Sequence, residues 1–487
     1  MSTQTRTSLG ALAGIVGLLA FVEFTSGVLQ GYYTPMLTDI ARSLGVPDAD
    51  VNWLEGTQLM VSALVVPAFA KLGDMIGHRR MLLISLGIVA VSSLSLAAFT
   101  TSFPLFLIAW SLSGFLTVWL PLEIALIWSR ARARGYQPSV TAKAAGLLVA
   151  ALEFGAISGA LAGGALVDSL PLSIVLLVPG IATVACFFVV LFGVKDSPEV
   201  TGGRLDTVGL IIISLALVTF TGGLSLLRLG GIGSPLAWIA IAFGIVIGAL
   251  FVRYELRHDD PLIDVRMFRS PALAPVFVTA GLFGVSVLGA QAPLSTFART
   301  DPAAYGYGLG TKGFATSLLI GIYLIAMIAS ALLYPLAARL LTPRLALVGA
   351  ASLVGVGFLL FVPLHASYVQ VVTNMVIVGL GSGALVAALP ATAASAAPPT
   401  QTGVATGLTN SVKTVGGAVA SCVFGIALFH GATAAAGGGE ATAGSFSGYL
   451  TVWIVCGVTS LVATALLLFI VPKNAFTDAA HVAAPVG

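Results

Sequence analysis

An all-α polytopic membrane protein with fourteen transmembrane helices is predicted here by stretch length, composition and charge placement. Fourteen apolar stretches run from about Leu9 to Ile470, each near the ~20 residues that cross a hydrocarbon core of ~30 Å. They are too long and continuous for barrel strands, and helices or closed barrels alone satisfy every backbone amide in lipid. Hydrophobic residues make up 58% of the chain and charged residues 8%, with 56 glycines in 487 residues, a balance no soluble domain of this length has. Basic residues fall almost entirely in alternate gaps.

The first stretch, about 9–31, follows Arg6 like a secretory leader, but it is span-length, carries Glu23 and lacks a small-residue cleavage site, so it stays as span 1. Stretches 52–70 and 82–101 flank a short polar loop, and 104–128 runs into Arg130, Arg132 and Arg134. Glycine-rich 144–167 and then 171–194 complete six spans. Stretches 207–227 and 235–252 lie between two polar joints, Lys195 to Asp206 and Arg253 to Arg269. Six more spans occupy 272–296, 314–338, 345–364, 368–395, 404–430 and 447–471. Placing both termini in the cytoplasm puts 18 of 22 Lys and Arg on that side and leaves Arg42, Arg228, Arg299 and Lys312 outside, which the positive-inside rule selects.

The organisation expected is therefore a six-helix bundle (1–200), an inserted helix pair with its cytoplasmic joints (201–262), a second six-helix bundle (263–473) and a cytoplasmic tail (474–487). Six plus six is the repeat pattern of transporters that alternate access around a midplane site. Gly155, Gly159, Gly163 and Gly164 of span 5 are echoed by Gly403, Gly407, Gly416 and Gly417 of span 13, small residues that let helix backbones approach closely. Cys186, Cys422 and Cys456 lie inside apolar runs without metal-ligand spacing and are expected to be buried thiols. No nucleic-acid-binding patch is indicated.

The loop after span 2, Ala70-Lys-Leu-Gly-Asp-Met-Ile-Gly-His-Arg-Arg80, resembles the G-x-x-x-D-R-x-G-R-R signature of the major facilitator superfamily, with Asp74, Gly77 and Arg79 in matching places. Trp53-Leu54, the span 5 glycines and the segment Gly403 to Gly417 further resemble its fourteen-span drug:proton antiporter branch. Departures are clear. Ala70, Met75 and His78 replace a Gly and two Arg of the loop signature; Trp110 stands where the branch has a span 4 arginine implicated in proton transfer; and Ala160 replaces the proline of the span 5 motif G-P-x-x-G-G. The resemblance implies two six-helix bundles plus two inserted helices, alternating access, and a cytoplasmic gating latch built from Asp74, Gly77, Arg79, Arg80 and Arg130.

Glu23, Glu55, Glu123 and Glu153 lie within spans, and each has to be protonated, paired or wetted, because a charge at bilayer depth costs at least a few kcal/mol. Glu23 shares a small, polar helical stripe with Ser26, Gly27 and Gln30; it reads either as a proton-accepting carboxyl facing the substrate path or as a packing carboxyl bonded to a neighbouring helix. Glu153 points away from the glycine stripe and is open between a proton site and a structural hydrogen bond. Glu123 and Glu55 read first as carboxyls reaching interfacial water. The second half offers Gln291, Tyr323, Asn374 and Asn410, with Lys413 nearer the cytoplasmic end. That apolar half-pocket suits a hydrophobic or amphipathic substrate.

The expected activity is secondary export of hydrophobic or amphipathic small molecules in exchange for protons, by a monomer in the bacterial inner membrane with lipids around it. The proton gradient supplies the energy, with no cofactor, metal or nucleic acid. A proton-coupled metabolite importer and an uncoupled lipid or lipid-precursor translocase are the alternatives. No constellation of catalytic side chains in or beside a span supports an enzyme, and no nucleotide-phosphate loop supports ATP-driven pumping.

Overall fold

The structure is a computed structural model that describes residues 13–133, 138–195, 205–258, 261–397, 402–430 and 443–471. The tail 474–487, Arg134 and the glycines of the first joint, Gly202-Gly203, lie outside the described residues. Fourteen helical spans are long and apolar enough to cross a membrane: α1 Ala13–Leu44, α2 Asp48–Ile76, α3 His78–Ala98, α4 Phe103–Ala131, α5 Lys143–Val167, α6 Leu172–Gly193, α7 Thr207–Gly230, α8 Pro235–Glu255, α9 Ala274–Arg299, α10 Gly313–Leu340, α11 Pro343–Leu360, α12 Tyr368–Ala396, α13 Val404–Phe429 and α14 Phe446–Phe469. Side chains such as Phe192, Leu332 and Leu340 stand exposed around the bundle, as a hydrocarbon solvent requires.

Three spans are strings of shorter helices. In α1 the helix Ala13–Tyr32 stops at a 3-10 turn, Thr34–Met36, because Pro35 supplies no backbone donor, and a second helix runs over Leu37–Leu44. The sequence pattern ends this span near residue 31. The second helix forms because Leu37, Ile40, Ala41 and Leu44 share one buried face, and Gly45, at φ 67°, terminates it. In α4 the 3-10 turn Ser113–Val118 brings Gly114 so close to α2 that a Cβ there would lie 2.5 Å from the Gln58 carbonyl. In α9 the π-turn Gly284–Leu288 seats Gly284 against the Lys413 carbonyl of α13.

Within the first half α1 packs on α5 and α6, α3 on α6 and α4, and α2 on α4; within the second, α10 packs on α12, α11 on α12 and α14, and α9 on α13 and α14. The halves meet along two seams, α2 against α13 and α5 against α10. The pair α7–α8 packs on itself and leans through α7 on the α2–α13 seam, where Trp53, Met60, Leu224, Leu227, Ala418 and Cys422 form one buried cluster.

Candidate transport cleft and its gates

Glycines set the first half's geometry. A Cβ on Gly155, Gly159 or Gly163 of α5 would lie 2.0, 2.5 or 2.2 Å from the carbonyls of Phe24, Val28 and Tyr32, so α1 and α5 touch backbone to backbone. Gly164 turns to the other half instead, against Ser317 and Gly313 of α10. In the second half Gly416 of α13 makes the matching close approach to α9 at the Gly281 carbonyl, and Gly417 lies against the Leu288 side chain. Gly407 faces open space.

Exposure along the two seams describes a cleft. On α5, Gly146 and Ala150 are exposed, Glu153 and Ile157 are half-buried, and Ala160 is fully buried beneath the Ser317 hydroxyl, which donates to its carbonyl at 2.6 Å. On α13, Val404 is exposed, Gly407, Asn410 and Lys413 are half-buried, and Ala418 and Cys422 are fully buried; a Cβ on Gly56 of α2 would meet the Cys422 sulfur at 2.7 Å. The space between the halves therefore opens on the face carrying most of the basic residues, here the basic face, and closes toward the opposite, far face at Ala160 and Ala418. Glu153 and Lys413 interact electrostatically across this cleft, and the Tyr323 hydroxyl of α10 lies in the same field.

Beyond the cleft the far face is closed by an ion pair that joins the halves and by a second that ties the inserted pair to the first half. Arg299 of α9 holds both carboxylate oxygens of Asp39 at 2.6 Å and stands 3.9 Å from Asp168 at the end of α5. Asp168 in turn accepts hydrogen bonds from the backbone amides of Gly313 and Phe314, at 2.9 and 3.0 Å, capping the start of α10. Ser295 of α9 donates to the Thr34 carbonyl of α1. At the other seam Arg228, the last basic residue of α7, grips Asp50 of α2 through Nε at 2.7 Å and a second, shorter Nη2 contact, while its guanidinium lies 4.9 Å above the Phe429 ring of α13. Sequence reasoning missed this lock. Its signal was the four basic residues left on the poorer side of the charge count, of which Arg228 and Arg299 are two.

The basic-face loop is fastened inside its own half. Gly77, at φ 104°, turns the chain between α2 and α3, His78 bonds Asp74 at 3.2 Å, Arg79 donates to the Leu191 carbonyl at 2.6 Å, and Arg130 donates to the Lys195 carbonyl. These bonds of Asp74, Arg79 and Arg130 all stay within the first half, which fits a conformation open on this face.

Glu23 does not line the cleft. It and Glu123 are both fully buried, and the two carboxyls face one another between α1 and α4 within hydrogen-bonding reach, with no other polar partner among the described residues. In this conformation Glu23 is enclosed between the helices, and Glu123, expected at interfacial water, is buried beside it. Trp110, in place of the branch's arginine, is buried between a tilted Tyr33 ring at 5.0 Å and a stacked Phe106 ring at 5.9 Å. Asn374 is likewise not a cavity residue: it is fully buried and donates to the Leu364 carbonyl at 2.7 Å, tying α12 to the end of α11. Gln30 and Gln291 are exposed, Gln30 donating to Ser26 at 3.3 Å. Asn410 lies on the accessible α13 stripe one turn from Lys413, and Glu55 is half-buried near the closed end of α2. A separate recess of about 560 Å³ on the far face, lined by Tyr305, Tyr307, His365 and Phe446, belongs to the second half alone.

Similarity to known proteins follows the same architecture. The chain is 24% identical over 438 residues to the multidrug efflux pump LfrA of Mycolicibacterium smegmatis, covering 87% of this chain and 82% of that one. It is 26% identical over 452 residues to the cephamycin export protein CmcT of Amycolatopsis lactamdurans, covering 91% and 88%. Among solved structures, one of the nucleoside transporter NupG superposes with a TM-score of 0.64 at 13% identity, over 94% of this chain and all of that one, which speaks to the fold. Two six-helix halves meeting at paired seams, a cleft closed at one end and the loop around Asp74 are accompanied by a match of residues 19–421 to the family description, and this multi-pass transporter belongs to the Major Facilitator Superfamily.

Proposed function

We propose that the protein exports amphipathic small molecules from the cytoplasm across the bacterial plasma membrane in exchange for protons, working as a monomer by alternating access and drawing on the proton gradient without a cofactor. The observation that carries this reading is the cleft itself: it opens on the basic face, which the positive-inside rule assigns to the cytoplasm together with both termini, and it holds a titratable carboxyl, Glu153, on an otherwise largely apolar wall. The relatives named for multidrug efflux and cephamycin export support the outward direction. A proton and a cationic group compete for Glu153, which couples loading from one side to protonation from the other. The buried Glu23–Glu123 pair is sealed from the cleft in this conformation.

Proteoliposomes with an imposed pH gradient test this. Glu153→Gln is expected to abolish uphill transport of a lipophilic fluorescent substrate while downhill exchange persists, and Glu23→Gln, which preserves a hydrogen bond in the buried pair, to leave uphill transport within about twofold of the unmodified protein, a change worth about 0.4 kcal/mol. Full gradient-driven transport by Glu153→Gln refutes the assignment.

A further inference from the structure

Glu153 and Lys413 are an unusual pair of cleft residues. They come from opposite halves, on α5 and α13, and each lies on a stripe that stays accessible far into the bundle, Gly146-Ala150-Glu153-Ile157 on one wall and Gly407-Asn410-Lys413 on the other. They attract one another, yet among the described residues no direct ion pair joins them and neither side chain makes a hydrogen bond. The Tyr323 hydroxyl nearby is buried, with the Ser382 hydroxyl beside it. We propose that the cleft recognises an amphipathic zwitterion, whose cationic group docks on Glu153 and whose anionic group docks on Lys413. The inference rests on reading the cleft as the substrate path.

Charge balance gives the reason. A purely cationic ligand on Glu153 leaves Lys413 without its counter-charge, as a proton on Glu153 does, and a purely anionic ligand strands Glu153 in the same way, so neither gains from both residues at once. A ligand carrying both signs replaces each partner's counter-charge at once, and the loaded cleft has the same net charge as the empty one. The apolar remainder of the ligand lies against Ile157 and the neighbouring wall. Because the pair spans the two halves, such a ligand also bridges them, so its binding is felt by the equilibrium between the conformations.

Three probes sharing one fluorophore separate the charge classes: Nε-dansyl-lysine (zwitterion), monodansylcadaverine (cation) and 6-(dansylamino)hexanoate (anion), titrated against the full-length protein in nanodiscs. The zwitterion is expected to bind roughly tenfold tighter than either other probe. Lys413→Met should bring it down to the level of the cation while the cation gains, Glu153→Gln should bring it down to the level of the anion while the anion gains, and the exchange Glu153→Lys with Lys413→Glu should restore the zwitterion's advantage in reverse orientation. Equal binding of all three probes, no measurable binding of the zwitterion, or a preference that survives both single substitutions overturns the proposal. Uphill transport of all three probes with equal affinity sinks this inference and leaves the export reading standing; selective binding without uphill transport does the opposite.

Discussion

Arg299 should govern how often the far face opens. Its guanidinium is 9% exposed and grips Asp39, 23% exposed, through two contacts of 2.6 Å. A charge-assisted hydrogen-bonded pair contributes about 1.5–3 kcal/mol, and a fully exposed ion pair about 0–1 kcal/mol; these side chains are mostly out of water, so we take about 2 kcal/mol as the cost of Arg299→Met to the far-face-closed conformation. That is roughly a thirtyfold change in the conformational equilibrium, so an opened state held at about one in a hundred would rise to about one in four. Asp39→Asn should cost less, about 1 kcal/mol, because Arg299 then still has Asp168 at 3.9 Å. The assay is a spin–spin distance between labels at Ser43→Cys and Ala303→Cys, both exposed on the far face, with Cys186, Cys422 and Cys456 replaced by Ala. Arg299→Met should add a longer-distance population and Asp39→Asn a smaller one. An unchanged distribution in a variant with unmodified thermal stability refutes the lock.

Asp50 is 2% exposed, so Arg228→Gln should strand a buried carboxylate and lower stability by about 3 kcal/mol, while Arg228→Met with Asp50→Leu should recover most of it and still open the far face; a thermal melt in detergent and the same label pair check both. Gly155→Val should lower stability by about 3 kcal/mol or prevent folding, since even a Cβ there meets the Phe24 carbonyl at 2.0 Å, whereas Gly146→Ala, with nothing within 4 Å, should lie within about 0.5 kcal/mol of the unmodified protein.

Spans and small-residue seams were legible in the sequence because both are local signals. An apolar run of about twenty residues needs no partner to be recognised, and Gly155, Gly159 and Gly163 repeat at one helical face. Pairing at long separation could not be read. Glu23 and Glu123 are a hundred residues apart, Glu153 and Lys413 lie in different halves, and nothing local says that the first pair is sealed together while the second faces a cleft. The helix Leu37–Leu44 escaped because it is amphipathic and short, and a search for membrane spans passes over such a segment. Asn374 escaped for a related reason: the amide of a polar residue in a span can donate to the loop leading into its own helix, and the Leu364 carbonyl is ten residues upstream across a turn.

The far-face lock also constrains the conformation in which the other face is closed. Two ion-pair clusters, a serine–carbonyl bond and a capped helix start favour the arrangement seen here, together worth several kcal/mol even after discounting for exposure. A transporter stalls if one state lies that far below the other, because the minor state must be populated at a useful fraction. Contacts of similar total strength must therefore form on the basic face when it closes. Asp74, Arg79, Arg80 and Arg130 are the groups placed to supply them, and Asp74 and Arg79 now spend their hydrogen bonds on His78 and the Leu191 carbonyl of their own half. Exchanging those bonds for contacts to the second half costs little, since one charge-assisted bond replaces another. On this reasoning Asp74→Asn should move the label pair in the direction opposite to Arg299→Met, and the two substitutions combined should return the distribution toward that of the unmodified protein.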